Sequence, residues 1–377
     1  MRIAMISTEK LPVPNIKGGA IQTYLTGILG HLPKLVRLSI FSSAERTLPF
    51  KTAGENWEIY RIPGESWGTY YENVLNRLQE KDYDLIHIFN RPGAATELRK
   101  HCKNTAVTLS VHSDFLEEGW TKEELKELFP LYDGIVTVSK YLTDKIINIF
   151  PAGINKVRHI YEGVDTEQFY PRNEKAAEIR ASLNLKDEKI ILGVGRLTKE
   201  KGLHLLVQAL PEVLKFFPKS SLVLVGNSRF IDEAGYLKVL DKAVNFPREK
   251  LLLFKNISPN EIHRFYAIAD IFANPCQWEE PLGRVHYEAM AAGLPIITTP
   301  KGGNAEVIKD GYNGVIVNDY QDPQEFANTI INLLRNESLL KSLAANSRRL
   351  STQHFTWKRV ALELKRYFQD IIEANNT

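Results

Sequence analysis

Glu280 and Glu288 lie in the stretch 274–306, NPCQWEEPLGRVHYEAMAAGLPIITTPKGGNAE, which is the part of the chain best equipped for chemistry. A loop over Pro275, Cys276, Gln277 and Trp278 leads to two adjacent carboxylates, Glu279 and Glu280. Pro281 suits the first turn of a helix, where its missing N–H is not needed. Residues 282–292 read as that helix, Gly293 stops it, and 294–298 form a short apolar strand. Gly302-Gly303 then reads as a loop returning to the same place. On one continuous helix the backbones of Glu280 and Glu288 would stand roughly 12 Å apart, at ~1.5 Å of rise per residue. That spacing suits the two ends of one elongated polar ligand, and the helix N-terminus between them favours a negative group such as phosphate. Glutamates at this spacing also arise by chance. The distinguishing feature is their combination with Pro-x-Gly, the run Glu-Ala-Met-Ala-Ala-Gly, the apolar strand, Gly-Gly and Glu306.

Other candidates stand at the ends of strand-like runs. In GRLTKEKG, Arg196 and Lys201 flank a loop after the apolar run 189–194. An arginine fork with a lysine point charge neutralises most of a diphosphate without a metal. A solvated charged turn has the same composition, and the companion glutamates favour the site. Gly18-Gly19 lies between the apolar run 2–7 and a helical pattern from Ala20, which is the arrangement of an anion cradle as well as of a simple turn. It is not the Gly-x-Gly-x-x-Gly of a dinucleotide site. His112 follows TLSV at a strand end, where ligands of open α/β sheets sit. Asp82-Tyr83-Asp84 resembles a metal-holding Asp-x-Asp but precedes its strand, at the opposite end, so it reads as a solvated turn and no metal is expected.

The elements that must position these residues alternate. Strand-like runs at 38–42, 57–62, 85–89, 106–111 and 134–138 are separated by helical stretches such as 70–80 and 122–131. The turn-rich segment 155–172 reads as a linker, after which runs at 189–194, 221–225, 251–254, 271–273, 294–298 and 314–317 repeat the pattern. Alternation of this kind predicts α/β folding with doubly wound parallel sheets. From Asp322-Pro323 the chain reads as helical to its end, interrupted at 354–357. A last amphipathic helix follows, with Val360, Leu362, Leu364, Tyr367, Phe368, Ile371 and Ile372 as its apolar set.

At 377 residues the chain suggests two or three domains, and 44% hydrophobic with 25% charged residues is a globular composition. A net charge of +3 argues against a nucleic-acid partner. Cys102 and Cys276 lack metal-ligand spacing and read as reduced thiols. The start MRIAMISTEK has no signal-peptide core, and no run nears the ~18 apolar residues of a membrane span, so a cytoplasmic location is expected.

Over essentially its whole length the chain resembles the retaining glycosyltransferases of family 4. The motifs QWEEPLGRVHYEAMAAGLPIIT, TEKLPVPNIKGGAIQ and FNRP look most like those of a spore-coat member. The resemblance implies the GT-B architecture: two Rossmann-like domains facing across a cleft, with the last helix crossing back to the first. Residues 1–165 with 356–377 would hold the acceptor and 166–355 the donor. It also implies a nucleotide-sugar donor, with UDP as the family's usual nucleotide, an unidentified carbohydrate or protein acceptor, and no separate cofactor. Arg196 and Lys201 match the family's diphosphate-binding pair, and Glu288 matches the ribose-binding glutamate. Glu280 matches the glutamate against the transferred sugar, with Leu282, Gly283 and Arg284 beside it. Gly18 and Gly19 match the glycine loop at the phosphates, His112 a histidine near the donor sugar, and the backbone at Phe254, Lys255 and Ile257 the base site. Asn256, Leu282 and Glu162 depart from the usual Gly, Phe and Asn of the pattern. Two other readings are a coat component with a vestigial donor site and, ranked lower, an enzyme that hydrolyses or epimerises nucleotide sugars. Trp67, Tyr70, Tyr71 and residues 115–120 are candidates to line an acceptor groove.

Overall fold

The computed structural model describes residues 1–102, 104–226 and 233–376. The chain forms two compact units, one of Met1–Gly163 with Trp357–Thr377, the other of Val164–Thr356. Thr377, the last residue of the helix expected at 356–377, lies outside the described residues.

The first unit is built on strands β1 (Arg2–Ile6), β2 (Arg37–Ser43), β3 (Lys51–Ala53), β4 (Trp57–Ile62), β5 (Leu85–Phe89), β6 (Ala106–Val111), β7 (Gly134–Thr137) and β8 (Val157–His159). Their order is β3-β4-β2-β1-β5-β6-β7-β8, parallel except for the β3–β4 pair. The central runs, such as LIHIF of β5, are buried throughout, because helices cover both faces of a parallel sheet. Edge strands β3 (KTA) and β8 (VRH) were not expected. They are short and half-exposed, with no apolar run to announce them.

The last helix, Trp357–Asn376, belongs to this unit. It brings Trp357, Val360, Leu364, Tyr367, Phe368 and Ile371 into one apolar core with Ile28 and Val136, Trp357 meeting Tyr24 edge-on at 5.7 Å and Phe368 lying 5.0 Å from His87. Large apolar side chains buried this way contribute about 1.5–3 kcal/mol each. Leu362, expected on the apolar face, is 44% exposed, because it falls two residues after Val360 and so on the far side of the turn. Trp357 seats on Gly27 of the helix Ala20–Leu29, where a Cβ would come within 2.2 Å of the indole.

The second unit contains β9 (Lys189–Val194), β10 (Ser220–Val225), β11 (Leu251–Phe254), β12 (Ile271–Asn274), β13 (Ile296–Thr298) and β14 (Gly314–Ile316), all parallel, in the order β11-β10-β9-β12-β13-β14. Leu294 and Pro295 precede β13 rather than opening it, since Leu294 N–H closes the preceding helix onto Ala289 O at 3.0 Å. No helix among the described residues is long and apolar enough to cross a membrane.

Candidate functional site

Counted from β9 as one, the second sheet runs 3-2-1-4-5-6, so the winding reverses between β9 and β12. Loops leaving the carboxyl ends of two such strands diverge to opposite faces and leave a crevice for ligands. The loop after β9 carries Arg196 and Lys201, and the loop after β12 carries Cys276, Trp278 and Glu280. Gln277 N–H donates to Glu200 O at 2.7 Å, joining the two loops.

Lys201 Nζ pairs with Glu280 Oε1, their side chains 12% and 13% exposed. The Trp278 ring lies 5.6 Å from Lys201 Nζ and 6.0 Å from the Arg196 guanidinium carbon. Arg196 itself is exposed and makes no ion pair among the described residues. Burial alone would raise the pKa of Glu280, but the charge and hydrogen bond of Lys201 outweigh it and hold the carboxyl below its usual range. Cys276 Sγ lies 3.4 Å from Glu280 Oε2. Burial, and then the Glu280 charge, push its thiol up to about 12, so it remains a protonated donor.

The helix expected to begin at Pro281 starts instead at Arg284 and ends at Ala291. Pro281, Leu282 and Gly283 form a non-helical approach, and Glu280 is clipped to the glycine turn beyond. Its N–H donates to Trp278 O at 2.8 Å, and its carbonyl accepts from Gly303 N–H at 2.8 Å. Gly283 N–H is taken by Asn304 Oδ1 at 3.0 Å, and Gly283 caps the helix from extended backbone at φ -73 and ψ 120. Glu280 and Glu288 therefore do not share one element, and the roughly 12 Å expected from a continuous helix does not apply. The Glu280 carboxylate still lies by the helix mouth, because a Cβ on Gly283 would be 3.3 Å from its Oε2. His286 anchors that mouth. Its Nδ1–H donates to Gly283 O at 2.9 Å and its Nε2 accepts from Thr298 Oγ1 at 2.8 Å. Burial pushes its pKa down to about 4, which keeps it neutral.

Gly302 has φ +58, and a Cβ there would lie 2.0 Å from Glu280 O. Gly302→Ala is expected to cost at least about 1–3 kcal/mol in urea unfolding, the range for a strained left-handed residue, and to displace Glu280 at the same time.

Arg196, Lys201, Glu280 and Gly283 thus share one neighbourhood. Glu288 accepts from Tyr266 Oη at 2.8 Å, and Arg284 and half-buried Glu288 lie on the helix behind Leu282, which is 8% exposed. Phe254, Lys255 and Ile257 stand at the end of edge strand β11, with Phe254 packed on Phe265 and Asn256 at φ 55. Gly18 and Gly19, with φ of 80 and 98, and His112 belong to the first unit. His112 follows β6 as expected, but its imidazole is only 3% exposed and both ring nitrogens are engaged within the unit. Tyr70, Tyr71 and Phe115, candidates for an acceptor groove, are core residues, while Trp67 and Trp120 are half-buried.

Several further candidates were not singled out in the sequence. Asn304 and Trp278 carry buried Nδ2 and Nε1 donors without a partner among the described residues, which a polar ligand would satisfy. Lys301 Nζ and Gly302 N–H both bind Glu279, at 2.8 and 2.7 Å. In the first unit, the winding reverses between β1 and β5. There Arg91 of FNRP forks onto both oxygens of Glu9 at 2.6 Å and lies 5.0 Å over Trp67. Gly-Gly-Asn and Asn-Arg-Pro at loop positions were the available signals.

Residues 18–168 match the family described as Glycosyltransferase Family 4, and residues 175–350 match Glycosyl transferases group 1. Spore coat protein SA of Bacillus subtilis (strain 168) is 37% identical over 97% of this chain and 98% of its own. Among solved structures, Anabaena HepE in complex with UDP superposes with a TM-score of 0.78 at 19% identity, covering 98% of this chain and 100% of that one. Sucrose-phosphate synthase from Thermosynechococcus elongatus gives 0.82 at 22% identity, covering 99% and 100%. At these identities the two structures speak for the fold.

Proposed function

The chain belongs to the family 4 glycosyltransferases and has their GT-B fold, and on that premise we propose that it moves a hexose, with retention, from a UDP-linked donor to a carbohydrate or protein acceptor of a cell envelope or spore coat. Glucose and N-acetylglucosamine are the sugars proposed, the location is cytoplasmic or in the coat, and no metal is assigned a part. The observation that carries this reading is the cluster at the β9/β12 reversal, where Lys201 pairs with Glu280 and exposed Arg196 lies 6.0 Å from the Trp278 ring beside them. Breaking the bond to a diphosphate builds negative charge on the leaving group, and preorganised cations stabilise it. An ammonium has three N–H donors, so Lys201 can hold Glu280 with one and face the diphosphate with the others. Glu280 positions the transferred sugar and faces its developing positive charge. Glu288 is assigned to the ribose hydroxyls, Gly18 and Gly19 to the phosphates, His112 to the sugar, and Phe254, Lys255 and Ile257 to the base.

Likeness to a spore coat protein supports a second reading, a structural coat component with a vestigial donor site. Thermal unfolding with UDP, GDP, ADP and their sugars separates the two. At ~100 times its dissociation constant the donor nucleotide should add ~2.7 kcal/mol, with or without chelator. Stabilisation by none of them would leave the structural reading; stabilisation abolished by chelator would overturn the metal-free assignment.

A further inference from the structure

We propose that Glu162 is a positioning residue for sugar transfer, acting through His112; this rests on the reading that the strand end at His112 borders the donor sugar. Glu162 Oε1 lies 2.9 Å from His112 Nδ1, and the side chains are 4% and 3% exposed. A carboxylate only accepts, so Nδ1 carries the hydrogen. On the other side, Nε2 lies 3.1 Å from Ser110 Oγ. The ring meets Tyr24 edge-on at 5.0 Å and Phe89 at 5.5 Å. An imidazole held this way does not reach a ligand. The residue as a whole is nonetheless half-exposed, so its accessible part is main chain.

That main chain is fixed from a second strand. Asn90, at φ 49 after β5, accepts from His112 N–H and donates to Ser113 Oγ, both at 2.7 Å. Glu162 is itself held in place by Arg359, which donates to Tyr161 O at 2.6 Å and Glu162 O at 3.0 Å. A neutral amide would also satisfy an imidazole N–H. A carboxylate at this depth costs desolvation, and what it adds is a fixed tautomer and ring orientation. Glu162 through the imidazole and Asn90 through the N–H thereby hold His112 from two sides.

Glu162→Gln keeps the shape, but its amide offers N–H as readily as oxygen, which releases the tautomer. In the full-length protein, kcat for UDP release from UDP-glucose should fall at least about tenfold, in line with the sensitivity of such steps to misplacement. Donor KM and the UDP-induced thermal shift should hold within about twofold, since the loss is confined to the transition state. ¹⁵N NMR of the imidazole should show the Nδ1–H form in the wild type and not in the variant. In a His112→Ala background the substitution should change kcat no further. Glu162→Asp, which retains the carboxylate, should keep more activity than Glu162→Gln and serves if the latter does not fold. A wild-type kcat in Glu162→Gln, or a loss that adds to that of His112→Ala, overturns the proposal and leaves the donor reading standing. A wild-type protein that neither shifts with UDP nor releases it overturns both.

Discussion

Arg196→Ala is expected to lower donor turnover by about 10²–10³-fold, the cost of removing one preorganised donor from developing charge. Its stability should change by less than about 0.5 kcal/mol, as for other surface substitutions. Both halves follow from the same observation. The guanidinium is exposed, lies 6.0 Å from the Trp278 ring, and has no carboxylate partner among the described residues, so the fold loses little without it. It stands where the winding reverses, so an anionic leaving group loses a great deal. Nucleotide release from the most stabilising donor, measured beside a melting curve, checks this. Turnover near the wild-type value would remove Arg196 from the site.

Lys201→Met should have the opposite signature, a large loss of both stability and turnover. It leaves the Glu280 carboxylate, 13% exposed, without its cation. Breaking a buried pair costs about 3–5 kcal/mol, and residual exposure places this one toward the lower end. In the wild type, Lys201 depresses the Glu280 pKa against the opposing effect of burial. The pair's contribution is therefore fully present above the unfolded carboxylate value of ~4.3 and is lost as pH falls through the folded one. Without the lysine, burial is opposed only by the lesser effects of His286 and the Cys276 thiol, so folded Glu280 binds its proton more readily than in the wild type. The stability gap between wild type and variant should be wide at neutral pH and shrink in acid. Adding Glu280→Gln to the variant should restore stability without restoring turnover. Urea denaturation at two pH values tests this; an equal gap at both would mean that the pair is not the cause.

Much of this architecture was legible because parallel strands buried on both faces read as apolar runs. Runs 57–62, 85–89, 106–111 and 189–194 coincide with strands. β3 and β8 escaped because edge strands need no such run. The helix begins at Arg284 rather than at Pro281, which satisfies a local preference, while Glu280 and Gly283 are tied to Gly303 and Asn304, contacts more than 20 residues away that no local pattern announces. His112 was placed correctly at its strand end, but its ring is held by Glu162, 50 residues away, and packed on Tyr24 and Phe89. Charged groups with local motifs were visible in the sequence; the partners that orient them come from other loops and were not.

The ownership of the last helix carries a consequence for biosynthesis. Met1–Gly163 leaves the ribosome complete except for Trp357–Thr377, and the 193 residues of Val164–Thr356 must be translated before that helix exists. At 5–20 residues per second this is a wait of about 10–40 s. Throughout it, the notch at Gly27 and the rings of Tyr24 and His87 lack the Trp357 and Phe368 that pack on them. The second unit is contiguous and can close as soon as it emerges, so the half of the molecule made first is the half that finishes last. In a crowded cell that interval is when the newborn chain most needs a chaperone, and a message truncated between Thr356 and Trp357 would yield a finished second unit beside a first unit that lacks its last helix.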